Sequence, residues 1–237
     1  MHMTLSRNQL KWIAIWSMVI DHIGYLFVPQ STMSVLYHIM RGIGRLSFPL
    51  ICFLLVQGFI YTHSRGKYLA RLWCFAVISE IPYDLVFSGK MVARSDQNVF
   101  FTLGIGLAVL WGIAEAEKRI VGVNRCAADL LIVFGGLGTA VLLQCDYSMW
   151  GILMITAFYV CRYDFRTLLW LFPVICLCQG WMEIVAVLVL PAVRFYSPRK
   201  QEGATRLPKG FFYWFYPVHL LVLWGIKLLC VYGIGRR

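Results

Sequence analysis

The chain has 237 residues, of which 60% are hydrophobic and 14% charged, with a mean hydropathy of +0.71. A soluble domain carries roughly 25% charged residues, so this composition excludes one and predicts an integral membrane protein that crosses the bilayer several times. The formal charge of +11 sits in short loops between apolar runs and not along one face, which excludes a nucleic-acid-binding domain and fits orientation signals in contact with anionic lipid.

The first apolar run, from Trp12 to Val28, sets the problem the rest of the chain has to solve. At about 1.5 Å rise per residue Asp21 lies about 14 Å past Trp12, near the middle of a hydrocarbon slab about 30 Å thick, and His22 lies beside it. An acid at that depth costs on the order of 2.5–3.5 kcal/mol on insertion scales, so it is expected to face a protein interior or a wet cavity. The run is too long for a signal-peptide core, and Gly24, Tyr25 and Leu26 are followed by Phe27 and Val28 with no small-residue cleavage site, so it is expected to stay in the protein.

Further apolar segments follow at 44–63, 68–88, 98–116, 127–144, 147–161, 167–179, 181–195 and 211–234. The seventh and eighth are short and read alternatively as one span or as a re-entrant hairpin. Charge bias favours counting them separately. One side then holds Arg7, Lys11, Arg65, Lys67, Arg71, Lys118, Arg119, Arg125, Arg162, Arg166, Arg194, Arg199, Lys200, Arg206 and Lys209, and the other holds Arg41, Arg45, Lys90, Arg94, Arg236 and Arg237. The expected fold is an all-α polytopic membrane protein, a bundle of about nine (eight to ten) transmembrane helices, some short or proline-kinked, in one domain over residues 1–237. Its amino terminus is expected in the cytoplasm. The eight cysteines fall mostly inside apolar segments with no zinc-like spacing, so they read as buried thiols and no metal is expected.

In this topology the embedded polar residues fall between the midplane and the external leaflet. Arg41 and Arg45 share a helix face, as do Glu80 and Asp84, and the two pairs have opposite sign. His219, about 12 Å past Phe211, reaches the depth of Asp21 from the other direction. Pro49, Pro82 and Pro217 each lie within four residues of a member of this set, where a freed carbonyl or a kink makes room. Four blander readings stand beside these: Arg41 as an interface anchor, Glu183 as a solvated residue of the short seventh–eighth turn, Asn98 as a helix cap, and Arg65 and Lys67 as topology signals or snorkelling side chains.

Several ordered motifs then carry a resemblance over essentially the whole chain. They are the run from Leu10-Lys11-Trp12 to Asp21-His22-Ile23-Gly24, Arg41-Gly42-Ile43-Gly44-Arg45-Leu46-Ser47-Phe48-Pro49, Gly58-Phe59 to Thr62-His63, Tyr68-Leu69-Ala70-Arg71-Leu72, Ser79-Glu80-Ile81-Pro82-Tyr83-Asp84, Gln97-Asn98-Val99-Phe100-Phe101-Thr102-Leu103, Asp146-Tyr147 and Phe215-Tyr216-Pro217-Val218-His219-Leu220. Together they resemble the TraX family of membrane acetyltransferases, named for an enzyme that acetylates the amino terminus of a conjugative pilin subunit. The chain has Gln57 where members often carry Glu before the Gly-Phe pair.

The resemblance implies a single integral membrane acyltransferase-like domain in a bacterial cytoplasmic (inner) membrane. It would move an acetyl group from cytoplasmic acetyl-CoA to an unknown acceptor at the external side, the amine or hydroxyl of a peptide, a pilin-like subunit or a glycan. Such chemistry needs a base and a partner for the developing oxyanion, and the catalytic candidates are Asp21, His22, Arg45, Glu80, Asp84 and His219. His22, oriented by Asp21 or by an acid on another helix, or else His219, is the base; Arg45 stabilises the oxyanion or neutralises an acid. His63, Arg65, Lys67 and Arg71 are the candidates for the CoA phosphates, and Asn98, Asp146, Tyr147 and Tyr216 for the acceptor. The expected partners are acetyl-CoA, the acceptor and membrane lipid, with no nucleic acid. The alternative is a proton-coupled transporter or exporter using the same midplane cluster, against which stands the lack of an internal repeat with paired broken helices. A scaffold protein would show small-residue stripes, and Gly104 with Ala108 makes one weak example.

Overall fold

The computed structural model describes residues 4–93, 96–198 and 210–234. Arg94, Arg199, Lys200, Arg206, Lys209, Arg236 and Arg237, which entered the charge count, lie outside the described residues. Among the described residues the regular structure is helical throughout, with two isolated β-bridges and no strand. The chain divides into two compact units that interleave in sequence, one built from residues 1–51, 81–92 and 180–237 and the other from 52–80 and 93–179.

The first unit is organised by α1 (Arg7–Phe27). Ser6 caps it in a capping box with Gln9, satisfying two of the amide groups that a helix start leaves open. Just upstream, Leu5 exchanges backbone hydrogen bonds with Phe195 and Ser197 at 2.8 and 2.9 Å. Leu10, Ala14, Ser17 and Gly24 are buried, and Asp21 completes their helical spacing, so its carboxylate lies on the packed face. That face meets α2 (Ser34–Gly44) and α10 (Phe211–Ile234). Two glycines bring α1 and α2 together: a Cβ on Gly24 would sit 2.8 Å from Met40 Cβ, and one on Gly44 would run into the Asp21 carboxylate.

The second apolar segment differs from its expected form. The expected segment 44–63 is filled by α3 (Ser47–Tyr61), but a further helix, α2, precedes it, with a break at Arg45 and Leu46. The break sets Arg41 in the last turn of α2 and Arg45 at its C-cap, where the helix dipole favours cations. The run 181–195 also departs from a regular span. It forms a 3-10 helix, Trp181–Leu188, and a short α9 (Val189–Arg194); β-branched Ile184, Val185 and Val187 in the first piece disfavour the wider α turn. The remaining piece of this unit is the carboxyl-terminal part of α4 (Arg65–Phe87), which carries Pro82.

In the second unit α5 (Val99–Arg119) is the central helix and packs on α6 (Val123–Leu142) and α7 (Ser148–Val160). Gly106 accommodates Ile155 and Gly136 accommodates Val109 where a Cβ would clash. Glu117 near the end of α5 accepts from Arg125, Arg162 and Tyr159, at 2.8, 3.4 and 3.2 Å. On the far side of α7 lies α8 (Phe165–Gln179), with Phe158 and Phe172 ring centroids 5.2 Å apart.

Among the described residues four helical stretches are, by length and composition, long and apolar enough to cross a membrane: Ser34–Tyr61, Val99–Arg119, Val123–Leu142 and Phe211–Cys230. Helices α7 and α8 are apolar but shorter, at 13 and 15 residues. Among its described residues the protein therefore has the fold of an all-helical membrane protein.

Candidate functional site

The first unit gathers its ionisable side chains around Asp21. Arg41 Nη1 donates to Asp21 Oδ2 at 2.6 Å, and one helical turn further Arg45 Nη1 meets Glu183 Oε1 at 3.0 Å. The four side chains are 12–18% exposed, and all four charges lie within Coulombic reach of one another. Two opposite pairs side by side let the protein carry four largely buried charges with no net local charge. An uncompensated charge at this depth would cost several kcal/mol.

Beside this quartet lie two imidazoles. His22 Nδ1 and His219 Nε2 are 2.8 Å apart, and His219 Nδ1 is 2.8 Å from the Phe215 carbonyl one turn earlier on α10. The ring planes differ by 5° and the centroids are 5.0 Å apart, about what two ring radii added to the N–N distance give. The rings therefore lie edge to edge in nearly one plane, a geometry that aims donor hydrogen and lone pair along the same line. Phe87 of α4 approaches His22 with centroids 5.6 Å apart at 74°, and Phe215 lies parallel to His219 at 4.9 Å. Tyr216, expected at the acceptor site, is buried with its ring 5.6 Å from that of His219. Arg41 is within Coulombic reach of His22. Asp84 is fully buried in the same unit, on the last turns of α4.

Sequence position alone suggests other roles for two residues of this centre. Arg41, read as an interface anchor, is the ion-pair partner of Asp21. Glu183, read as a solvated turn residue, is buried on the 3-10 helix and holds Arg45. The turn reading fails because the segment folds back beside α2 and carries the acid inward.

The other expected site residues belong to the second unit. Glu80 Oε2 accepts from both the side-chain amide and the backbone N–H of Asn98. Asn98 is fully buried, donates to the Ala76 carbonyl at 2.7 Å, and caps α5 by accepting from Phe100 N–H at 3.1 Å. Asp146 N–H donates to the Gln97 carbonyl at 2.8 Å, and the Asp146 carbonyl accepts from Thr102 Oγ1. Tyr147 has a φ of 61°, with Gln144 at 52° and Ser148 at 41°; three such non-glycine residues within five positions mark a turn held in place by its surroundings. Asn98→Ala removes the cap and the buried side-chain amide from which the Ala76 carbonyl and Glu80 Oε2 accept. A loss on the order of 2 kcal/mol or more is expected in thermal unfolding of the detergent-solubilised protein.

The expected phosphate-binding residues also lie here, at the α3–α4 turn. His63, Lys67 and Arg71 are exposed, whereas Arg65 is half-buried, paired with Glu115 at 3.3 Å and packed over the Phe59 ring at 4.5 Å. The charge that Arg65 brings is therefore matched by a carboxylate. Among the described residues no group of three or more His, Cys, Asp or Glu side chains is placed to hold a metal ion.

Fold and site together define a membrane protein, helical throughout its described residues, with two largely buried arginine–carboxylate pairs beside a hydrogen-bonded pair of histidines. The chain belongs to the TraX family: the family model described as TraX protein matches residues 6–227. It is also similar to the probable fimbrial assembly protein FimC, serogroup H1, of Dichelobacter nodosus, with 28% identity over 252 residues covering 94% of this chain and 99% of that protein. No solved structure matches the chain.

Proposed function

We propose that this protein is a membrane-embedded acetyltransferase that moves the acetyl group of acetyl-CoA to an amine or hydroxyl of an acceptor presented at the external face of a bacterial inner membrane, with its amino terminus in the cytoplasm and about nine membrane-crossing segments. The observation that carries the reading is the His22–His219 contact set beside the Arg41/Asp21 and Arg45/Glu183 pairs. Imidazole is suited to take and return a proton near neutral pH, and an arginine already fixed by a carboxylate is a preorganised donor for a developing oxyanion. Membership of the TraX family and likeness to a protein named for fimbrial assembly favour a pilin-like subunit as the acceptor.

For the donor, Lys67 and Arg71 fit the phosphates of CoA best, with His63 beside them, because they are exposed cations on the first turns of α4. Arg65 fits less well, since Glu115 already offsets its charge. Lys67→Ala with Arg71→Ala is expected to raise KM for acetyl-CoA by roughly 10-fold or more, at about 1.4 kcal/mol per decade, with kcat little changed. An unchanged KM would remove these residues from donor binding.

The reading is tested by incubating the purified full chain with acetyl-CoA labelled on the acetyl group and a peptide bearing a free amino terminus. Release of CoA thiol with the label on the peptide is the expected result. Absence of acetyl-CoA binding would overturn the reading in favour of a proton-coupled transporter.

A further inference from the structure

The two histidines are not equivalent, and the hydrogen-bond chain that joins them gives each a distinct role. It begins at the Phe215 carbonyl, which can only accept. The His219 Nδ1 lying 2.8 Å from it must therefore carry the proton. A neutral imidazole with a proton on Nδ1 has its lone pair on Nε2, and His219 Nε2 faces His22 Nδ1 at 2.8 Å. That nitrogen must in turn be the donor, so His22 also holds its proton on Nδ1. The one remaining lone pair of the chain is on His22 Nε2. The in-plane arrangement of the rings supports the same order, since a stacked pair could not share a proton along the nitrogen lone-pair axis. Burial agrees: His219 is buried with both nitrogens engaged, while His22 is half-buried.

We propose that His219 is a positioning residue which holds His22 in its Nδ1–H tautomer, leaving the His22 Nε2 lone pair as the base that takes the acceptor's proton. This rests on the acetyl-transfer reading above and divides the labour within it. The acceptor amine forms a new C–N bond with the acetyl carbonyl carbon as His22 Nε2 takes one N–H proton. The C–S bond then breaks, the sulfur leaves with the electron pair, and His22 Nε2 returns the proton to it. The products are an amide and a free thiol. Throughout, His22 Nδ1–H continues to donate to His219, and the Phe215 carbonyl keeps its own hydrogen bond, so no other proton has to move. Arg41 on α2 lies within Coulombic reach of His22, and neutral Phe87 from α4 and His219 from α10 pack against it.

Two measurements test this. In the first, the full-length protein is labelled with 15N-histidine in lipid nanodiscs at about pH 8, where imidazoles are neutral, and the His22 and His219 signals are assigned by loss in His22→Gln and His219→Gln. Both rings are expected to be protonated on Nδ1 and bare on Nε2, the tautomer free histidine disfavours. A proton on Nε2 of either ring overturns the assignment. In the second, turnover of acetyl-CoA is compared among variants. His219→Ala is expected to lower kcat roughly 10–100-fold with KM unchanged, by analogy with the loss of an orienting partner, and His219→Gln, whose side-chain carbonyl can accept from His22 Nδ1–H, is expected to recover part of that loss. His22→Ala and His22→Gln are both expected to lose roughly 10²–10⁴-fold. The opposite ranking, with His219→Gln as inactive as His219→Ala and His22→Gln partly active, would exchange the roles and overturn the proposal. Absence of turnover in the wild type would overturn acetyl transfer and the base role with it, whereas the tautomer order is decided by the spectrum alone.

Discussion

Asp21→Ala is expected to destabilise the protein by about 3–5 kcal/mol, the range for removing one partner of a buried ion pair, a fall of roughly 6–20 °C in the thermal midpoint by the scaling of domains of this size. The magnitude follows from burial. Asp21 and Arg41 are 16% and 18% exposed, which removes most of the solvent screening that reduces a surface pair to about 0–1 kcal/mol. Without Asp21 the Arg41 guanidinium keeps its burial and loses its nearest counter-charge. The companion measurement is Asp21→Ala combined with Arg41→Met, which deletes both charges and is expected to recover most of the loss, since a buried pair is often replaceable by apolar side chains at little net cost. Gly44 gives an independent handle on the same contact. Its Cα faces the Asp21 carboxylate with no space for a methyl group, so Gly44→Ala forces either α2 or the carboxylate to move and is expected to cost about 1–3 kcal/mol. Full stability in both Asp21→Ala and Gly44→Ala would contradict the packing of α1 on α2 described above.

Glu183→Ala is the second large effect, and it is local as well as global. The 3-10 helix Trp181–Leu188 has weaker backbone hydrogen-bond geometry than an α-helix, and the Glu183–Arg45 pair is its charged tie to α2. Its loss is expected to destabilise the protein by about 3 kcal/mol and to raise hydrogen–deuterium exchange across residues 181–188 more than in α1. Turnover is expected to fall as well, because Arg45 loses the carboxylate that orients it. Uniform exchange across the unit, with residues 181–188 no faster than α1, would show that the pair does not anchor this segment.

The difference between Asp21 and Glu183 shows what the sequence makes legible. Asp21 stands out because it interrupts a span-length apolar run near its midpoint, so depth alone marks it as a residue with a partner. Glu183 sits three residues from Gly180, at the edge of a short segment, and such an acid reads as solvated until the fold brings Arg45 to it. The signal available in advance was arithmetic: Arg41 and Arg45 share a face and need two carboxylates, and Asp21 supplies one. The break between α2 and α3 was hidden for a related reason. Residues 29–44 mix Pro29, Gln30, Ser31 and Thr32 with an amphipathic stretch ending in Arg41, so no apolar run announces a helix there. By contrast α1, α4 to α8 and α10 begin and end within a few residues of the expected segments, because each is an apolar run bounded by charge. The meeting of His22 with His219, 197 residues apart in sequence, was legible only as a coincidence of depth measured from opposite ends of two helices. The hydrogen bond between them, and the tautomers it dictates, required the coordinates.

We propose the centre of the first unit as the place where an acceptor's proton is removed, and one comparison tests that most directly. Purified wild-type protein and His22→Ala are assayed side by side in nanodiscs for thiol release from acetyl-CoA in the presence of an amine acceptor, with and without added imidazole. The predicted result is turnover in the wild type, a loss of roughly 10²–10⁴-fold in the variant, and partial recovery when imidazole occupies the space left by the side chain. Turnover in His22→Ala at the wild-type rate, in a protein whose thermal midpoint is unchanged, would contradict it.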